Sequence, residues 1–180
     1  MYEVEVKIRT SHEPIREEVS ELNGTPIGTV EQIDTYFDAP HRDFAATDEA
    51  LRLRQERPED GTPTHVLTYK GPLIDADSKT REEIEVSIPE PEEFRAILEA
   101  LGFSPAATVR KKRDRYGLDE CIVSLDTVDG LGEFVEVEAE GPAETIEEPR
   151  ERAFDVLRAL GLDPAEQLRT SYLGLLLESP

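Results

Sequence analysis

Residues 2–9, Tyr2-Glu3-Val4-Glu5-Val6-Lys7-Ile8-Arg9, alternate apolar and charged side chains without a break. In an extended strand the apolar set falls on one face, and Glu3, Glu5, Lys7 and Arg9 fall on the other. Such a face is either a solvated strand surface or a place where carboxylates hold a metal ion and cations hold a phosphate. Whether later strands repeat the pattern decides between these readings, and with them the fold.

The pattern does recur. Arg52 and Arg54 alternate with Leu51 and Leu53, while Lys70 shares a face with Thr68 and stands opposite Leu67 and Tyr69. Arg81, Glu83 and Glu85 alternate with Ile84, Val86 and Ile88; Lys111, Arg113 and Arg115 share one parity. Ser124 and Asp126 oppose Val123 and Leu125, and Glu136 and Glu138 oppose Val135 and Val137. Lys7, Arg9, Arg52, Arg54, Lys70, Arg81, Lys111, Arg113 and Arg115 place nine of the chain's 20 basic residues on these faces.

The spacing predicts strands at 2–9, Thr29–Phe37, Leu51–Arg57, Thr64–Lys70, Arg81–Ile88, Thr108–Tyr116, Cys121–Asp126 and Glu133–Glu140. Helices are predicted at Pro14–Leu22, Pro91–Leu101, Pro149–Leu160 and from about Pro164 to Leu177. Gly71–Lys79 reads as a long polar loop able to act as a lid. No linker, repeat or low-complexity segment interrupts residues 1–180, so a single α+β domain is expected. The helices carry apolar stripes, such as Phe94, Ile97, Leu98 and Leu101, or Phe154, Val156, Leu157 and Leu160. These need an apolar sheet surface to cover. If they cover the outside of a closed sheet, the charged faces point inward, into a barrel of about eight strands with room for side chains or one small ligand.

Composition narrows the partners. The net charge of -21, from 41 acidic against 20 basic residues, argues against nucleic acid and against anionic membrane surfaces. Arginine outnumbers lysine 15 to 5, and an acidic, lysine-poor surface fits a salt-rich cytosol, with calcium binding and disorder as alternatives, of which disorder is disfavoured by apolar residues periodic over nearly the whole length. The single cysteine, Cys121, excludes an intramolecular disulfide and sits in the apolar run Cys121-Ile122-Val123, where a packed thiol is expected. No apolar stretch approaches the roughly 20 residues of a membrane span, and no secretory signal is read at the start, so a cytoplasmic protein is expected. His12, His41 and His65 read as surface residues rather than general bases. P-loop, HExxH and spaced Cys/His zinc patterns are missing.

A basic interior would be unstable unless opposite charges and water compensate it, because desolvated charges of one sign repel, and a ligand that completes the compensation should be polyanionic. Arginine forks match phosphate oxygens, and Lys7 and Lys70 act as point charges. Carboxylates would serve the same ligand through a hard divalent cation. Glu3 and Glu5, about 7 Å apart along a strand, are candidate ligands, with Asp126 and Glu136 as natural additions.

These residues carry a resemblance. Glu3-Val4-Glu5-Val6-Lys7 is similar to the ExExK motif of the CYTH superfamily, the triphosphate tunnel metalloenzymes. The likeness extends through Asp34–Asp38, Leu51–Arg54, Lys70-Gly71-Pro72, Lys111-Lys112-Arg113 and Ser124–Glu138. Asp129–Phe134 and Ser171-Tyr172 look most similar to the class IV adenylyl cyclases, although Met1 and Tyr2 stand where those enzymes carry a His-Phe pair. The resemblance implies an eight-stranded antiparallel tunnel that binds a triphosphate, ATP first, with Mg²⁺ or Mn²⁺ and two ions expected. It implies metal binding at Glu3, Glu5, Glu136 and Asp126, with Glu3, Glu5, Lys7 and Glu136 catalytic. Lys7, Arg52, Arg54, Lys70, Arg81, Lys111 and Arg113 would contact the triphosphate, and Glu83, Glu85, Arg115 and Glu138 are inward by parity. The reaction implied is conversion of ATP to cyclic AMP and pyrophosphate. A triphosphatase acting on inorganic triphosphate, thiamine triphosphate or a nucleoside triphosphate, or a non-catalytic nucleotide or polyphosphate sensor, uses the same parts. A homodimer is implied by family analogy alone.

Overall fold

The first strand, β1 (Tyr2–Arg9), is hydrogen-bonded along both edges, to β8 (Gly132–Gly141) on one side and β5 (Lys79–Ser87) on the other. Between these lie β2 (Thr25–Asp38), β3 (Ala50–Pro58), β4 (Thr64–Lys70), β6 (Ser104–Leu118) and β7 (Cys121–Val128). They close into an eight-stranded antiparallel barrel in the order β1-β5-β4-β3-β2-β6-β7-β8. Closure leaves no open sheet edge. The coordinates are a computed structural model that describes residues 2–74, 79–142 and 145–179.

The barrel is apolar outside and charged inside. Val4, Val6 and Ile8 of β1 join Val123, Leu125, Val135 and Val137 on the outer face. Over them lie Ile15 and Val19 of α1 (His12–Glu21) and Ala153, Val156, Leu157 and Leu160 at α4 (Glu147–Ala159). Each fully buried valine or leucine contributes about 1.5–3 kcal/mol, so this outer layer fixes the register that sends Glu3, Glu5 and Lys7 inward. A second outer cluster packs Leu98 of α3 (Pro91–Ala100) on Phe37 and Leu53. Gly102 ends α3 with φ +93°, a left-handed conformation open to glycine without strain, and Phe103 N–H returns to the Leu98 carbonyl at 3.0 Å.

The fold class follows the expectation, with local departures. β2 and β6 are longer than their alternation suggests, and bulges between Pro26 and Gly28 and between Tyr36 and Phe37 absorb the extra length. A four-residue helix, α2 (Phe44–Thr47), precedes β3 and is capped by Asp43, whose side chain accepts from Ala45 and Ala46 N–H. The helix expected from Pro164 to Leu177 is instead a 3-10 turn, Pro164–Glu166, and a separate α5 (Tyr172–Glu178). The reason is tertiary: Leu168 N–H donates to the Lys7 carbonyl at 2.7 Å, which holds the intervening chain against β1. Of the expected Gly71–Lys79 lid, residues 75–78 lie outside the described residues, and Lys79 belongs to β5.

Two expected apolar stripes are only partly covered. Ile97 and Leu101 of the α3 region are 56% and 65% exposed, and Ile84 and Val86 on the outer face of β5 are 57% and 53% exposed. Among the described residues no helix is long and apolar enough to cross a membrane. Cys121 is a buried free thiol.

Candidate active site

The strand faces turned inward enclose a cavity of about 900 Å³. Among the described residues it is lined by ten cations and ten carboxylates. The expectation of a predominantly basic interior is therefore corrected: acidic and basic side chains are equal in number among the described lining residues and are segregated locally. Internal ion pairing is what allows so many desolvated groups to coexist.

Carboxylates gather at Glu3, Glu5 and Glu138, each of which offers an oxygen within 4.8 Å of the others'. The strand pairing produces this directly, because Glu5 of β1 lies opposite Glu138 of β8 and Glu3 is the next inward residue along β1. Burial pushes the Glu3 carboxyl well above the usual range, and Glu138, Glu83 and Glu5 reinforce the shift against the pull of Lys70. Burial likewise raises Glu138, with Arg113 opposing and Glu136 and Glu5 adding. Glu5 goes the other way: burial raises it, but Lys79 and Lys7 outweigh burial and hold it well below the usual range. Three hard oxygen donors, two of them held back from ionising chiefly by burial and then by the charge of neighbouring carboxylates, fit a divalent cation.

The cations divide into engaged and loosely held groups. Arg54 forks onto Asp34, Nε to Oδ1 at 2.7 Å and Nη2 to Oδ2 at 2.8 Å. Arg113 forks onto Asp126 with both bonds at 2.6 Å, and its Nη atoms also reach Glu136 and, at 3.1 Å, Glu138. Lys70 is bonded to Glu83, and Lys79 lies 3.3 Å from Glu5. Arg52 donates from Nη2 to Thr68 Oγ1 at 3.0 Å, while its buried Nε has no protein partner. Lys7 approaches Glu5 and Glu136 only to 3.6 and 3.7 Å, and Lys111 approaches Asp126 to 3.5 Å.

α2 and α5 both contribute to the cavity wall. Phe44, Ala45, Asp48 and Glu49 line it from the α2 segment, and Tyr172, Leu173 and Leu177 from α5. Arg81 is directed at this segment: Nη1 donates to the Asp48 carbonyl at 2.8 Å, and Asp48 itself has φ 55°.

The structure brings most of the expected residues together and redistributes them. Glu3, Glu5, Lys7, Arg52, Arg54, Lys70, Arg81, Lys111, Arg113 and Glu136 all line the cavity, as do Glu83, Glu85, Arg115 and Glu138. The carboxylate cluster is completed by Glu138, whereas the proposed metal ligands Asp126 and Glu136 are held in ion pairs with Arg113. Arg9, although it shares the parity of Lys7, is exposed and donates to the Leu131 carbonyl at 2.6 Å with its guanidinium over the Phe134 ring. His12 is buried outside the cavity, its ring nitrogen 3.0 Å from the Phe134 carbonyl, so it is not the surface histidine expected. Gln32, Asp34, Lys79 and Tyr172 also line the cavity, outside the expected set of site residues. Alternation in residues 29–37 could have exposed Gln32, Asp34 and Tyr36; nothing local signals that Tyr172 returns to the barrel.

A barrel apolar beneath helices on the outside and charged within is the triphosphate tunnel fold. The CYTH domain model matches residues 1–172, and the chain belongs to the CYTH family. It is 40% identical over 177 residues, 97% of this chain and 98% of the relative, to the Methanocaldococcus jannaschii protein named "Putative adenylate cyclase MJ0240". It is 27% identical over 143 residues, 79% of this chain and 70% of the relative, to adenylate cyclase CyaB of Aeromonas hydrophila. The solved structure of PH1819 from Pyrococcus horikoshii OT3 superposes with a TM-score of 0.90 at 41% identity, covering 98% of each chain.

Proposed function

We propose that this protein is a Mg²⁺- or Mn²⁺-dependent adenylate cyclase that binds ATP through its triphosphate inside the barrel and releases cyclic AMP and pyrophosphate. The observation that carries this reading is the Glu3–Glu5–Glu138 cluster set beside Lys7, Arg52, Arg54, Lys111 and Arg113 in one cavity. The cyclase names of the relatives favour cyclisation over hydrolysis.

Charge balance supports the cofactor. A triphosphate carries about four negative charges near neutral pH, and a cavity with as many carboxyl groups as cations among its described lining residues takes it up at least cost with added cations or with internal pairs exchanged for phosphate. Divalent ions held by Glu3, Glu5 and Glu138 would supply positive charge for the phosphates and acidity for the attacking hydroxyl. The chain supplies the rest. Arg52 offers an unpaired Nε, and Lys7 and Lys111 offer ammonium groups held loosely by carboxylates. Arg113 can exchange Glu136 or Glu138 for phosphate oxygens while its fork on Asp126 keeps it aimed. These groups would stabilise charge on the departing pyrophosphate as the 3′-oxygen bonds to the α-phosphorus and the bridging P–O bond breaks.

Incubation with ATP and Mg²⁺ or Mn²⁺ at high salt, with products resolved by chromatography, tests this reading. Cyclic AMP with stoichiometric pyrophosphate supports it, orthophosphate release assigns a triphosphatase instead, and no turnover with either metal overturns both.

A further inference from the structure

Tyr172 is 6% exposed and lines the same cavity as the charged strands, although it lies on α5, far from them in sequence. Its hydroxyl donates to Asp126 Oδ2 at 2.8 Å, and its ring meets the Phe134 ring edge-on, with centroids 5.0 Å apart at 68°. These two contacts fix the ring plane. The ammonium groups of Lys7 and Lys111 then lie 4.2 and 4.8 Å from the ring centroid. Two cations on one buried aromatic ring is an arrangement that ordinary core packing does not require.

We propose that Tyr172 is a positioning residue for the triphosphate, holding the ammonium groups of Lys7 and Lys111 against its ring so that their pairing with the tunnel's carboxylates stays long and N–H donors are available to phosphate oxygens. The proposal rests on the reading of the cavity as a triphosphate site. A lysine side chain is long and flexible, and in a desolvated cavity rich in carboxylates its ammonium is drawn into close ion pairs. Lys70 and Lys79 illustrate the outcome, the first hydrogen-bonded to Glu83 and the second 3.3 Å from Glu5. Among the described residues neither lies over an aromatic ring. Lys7, by contrast, comes no nearer than 3.6 Å to a described carboxylate, and Lys111 makes one long hydrogen bond, 3.5 Å, to Asp126 Oδ2, the oxygen that also accepts from Tyr172. The ring attracts both ammonium groups without accepting a conventional hydrogen bond, so a bound anion can recruit them at little cost. Because Tyr172 also bonds Asp126, and Asp126 receives the Arg113 fork, one phenol couples two lysines and an arginine. Burial, with Glu136 and Asp126, pushes its phenol well above the usual value, which keeps the proton that this bond requires.

The test uses the full chain, inorganic tripolyphosphate as probe, and Tyr172→Phe beside Tyr172→Leu. With only five lysines, the side-chain methylene signals can be assigned by NMR. In the wild type, those of Lys7 and Lys111 should be displaced upfield by the ring and should move on tripolyphosphate addition. Leu should abolish the displacement and weaken tripolyphosphate binding by about tenfold or more, the scale of desolvated cation–π contacts. Phe, which restores the ring but not the hydroxyl, should recover the displacement and most of the affinity. Equal affinity of the Leu variant and wild type, or wild-type lysine signals with no ring displacement or no response to tripolyphosphate, would overturn the proposal. Since the readout is binding, a wild type that binds tripolyphosphate but makes no cyclic AMP rejects the cyclase reading while leaving the role of Tyr172 supported.

Discussion

Asp34 and Arg54 face one another across β2 and β3 as paired residues of the ladder, and their side chains meet in a two-bond fork of 2.7 and 2.8 Å inside the barrel. Asp34 is 2% exposed. Asp34→Asn removes the charge and leaves a desolvated guanidinium, which should destabilise the protein by about 3–5 kcal/mol. Urea unfolding measures this directly. A midpoint unchanged from wild type would mean that the pair does not support the fold.

Acid should act through the same groups. Burial raises Asp34, yet Arg54 and Arg52 outweigh burial and hold its carboxyl well below the usual range. Asp126 behaves alike, with Arg113 and Lys111 prevailing over burial. Carboxyls depressed in the folded state contribute stability that is complete above their unfolded pKa, about 3.9, and is lost as pH falls through their folded values. Unfolding midpoints should therefore drop on acidification below about pH 5, with a shallower acid limb in Asp34→Asn. An acid limb of identical slope in that variant would contradict the assignment.

The metal assignment separates carboxylates that parity alone cannot. Glu138→Gln should weaken Mn²⁺ binding, measured by calorimetry, more than Asp126→Asn does, because Glu138 shares the cluster with Glu3 and Glu5 while Asp126 is saturated by Arg113 and Tyr172. The reverse order would return Asp126 to the metal site.

Glu5→Gln should lower turnover with ATP about 100-fold or more, the scale on which loss of one charge-stabilising group acts in a site of this kind. Its thermal unfolding should stay cooperative, since the outer apolar layer on β1 is untouched. A turnover unchanged from wild type would remove Glu5 from the reaction.

Arg81 and Arg52 should differ in kind. Arg81 clamps the turn at Asp48, so Arg81→Gln should accelerate hydrogen exchange in residues 44–50. Arg52→Gln removes a group with a free Nε and should mainly weaken tripolyphosphate binding. Equal losses of tripolyphosphate affinity, with no change in exchange for either, would place both arginines on the phosphate.

Alternation along residues 2–9, 51–54 and 135–138, together with the basic residues gathered on those faces and the apolar helix stripes that need a sheet to cover, reads as a closed sheet with charges inside, because side-chain parity in a strand is a local property of the backbone. It also placed Lys7, Arg52, Lys111 and Arg113 in one interior without knowledge of strand order. Partnership is another matter. That Glu138 rather than Glu136 meets Glu3 and Glu5 depends on the tilt and register of β1 against β8, which parity does not specify. That Lys79 starts a strand, that Arg9 lies outside, and that α5 returns Tyr172 to Lys7 and Lys111 are settled by long-range contacts. The sequence by itself determined that Glu3, Glu5 and Lys7 of β1 share the face turned away from Val4, Val6 and Ile8. Only the tertiary structure decided which charges meet, since ion pairs form through space and the energies that select them depend on distance and desolvation across the closed barrel.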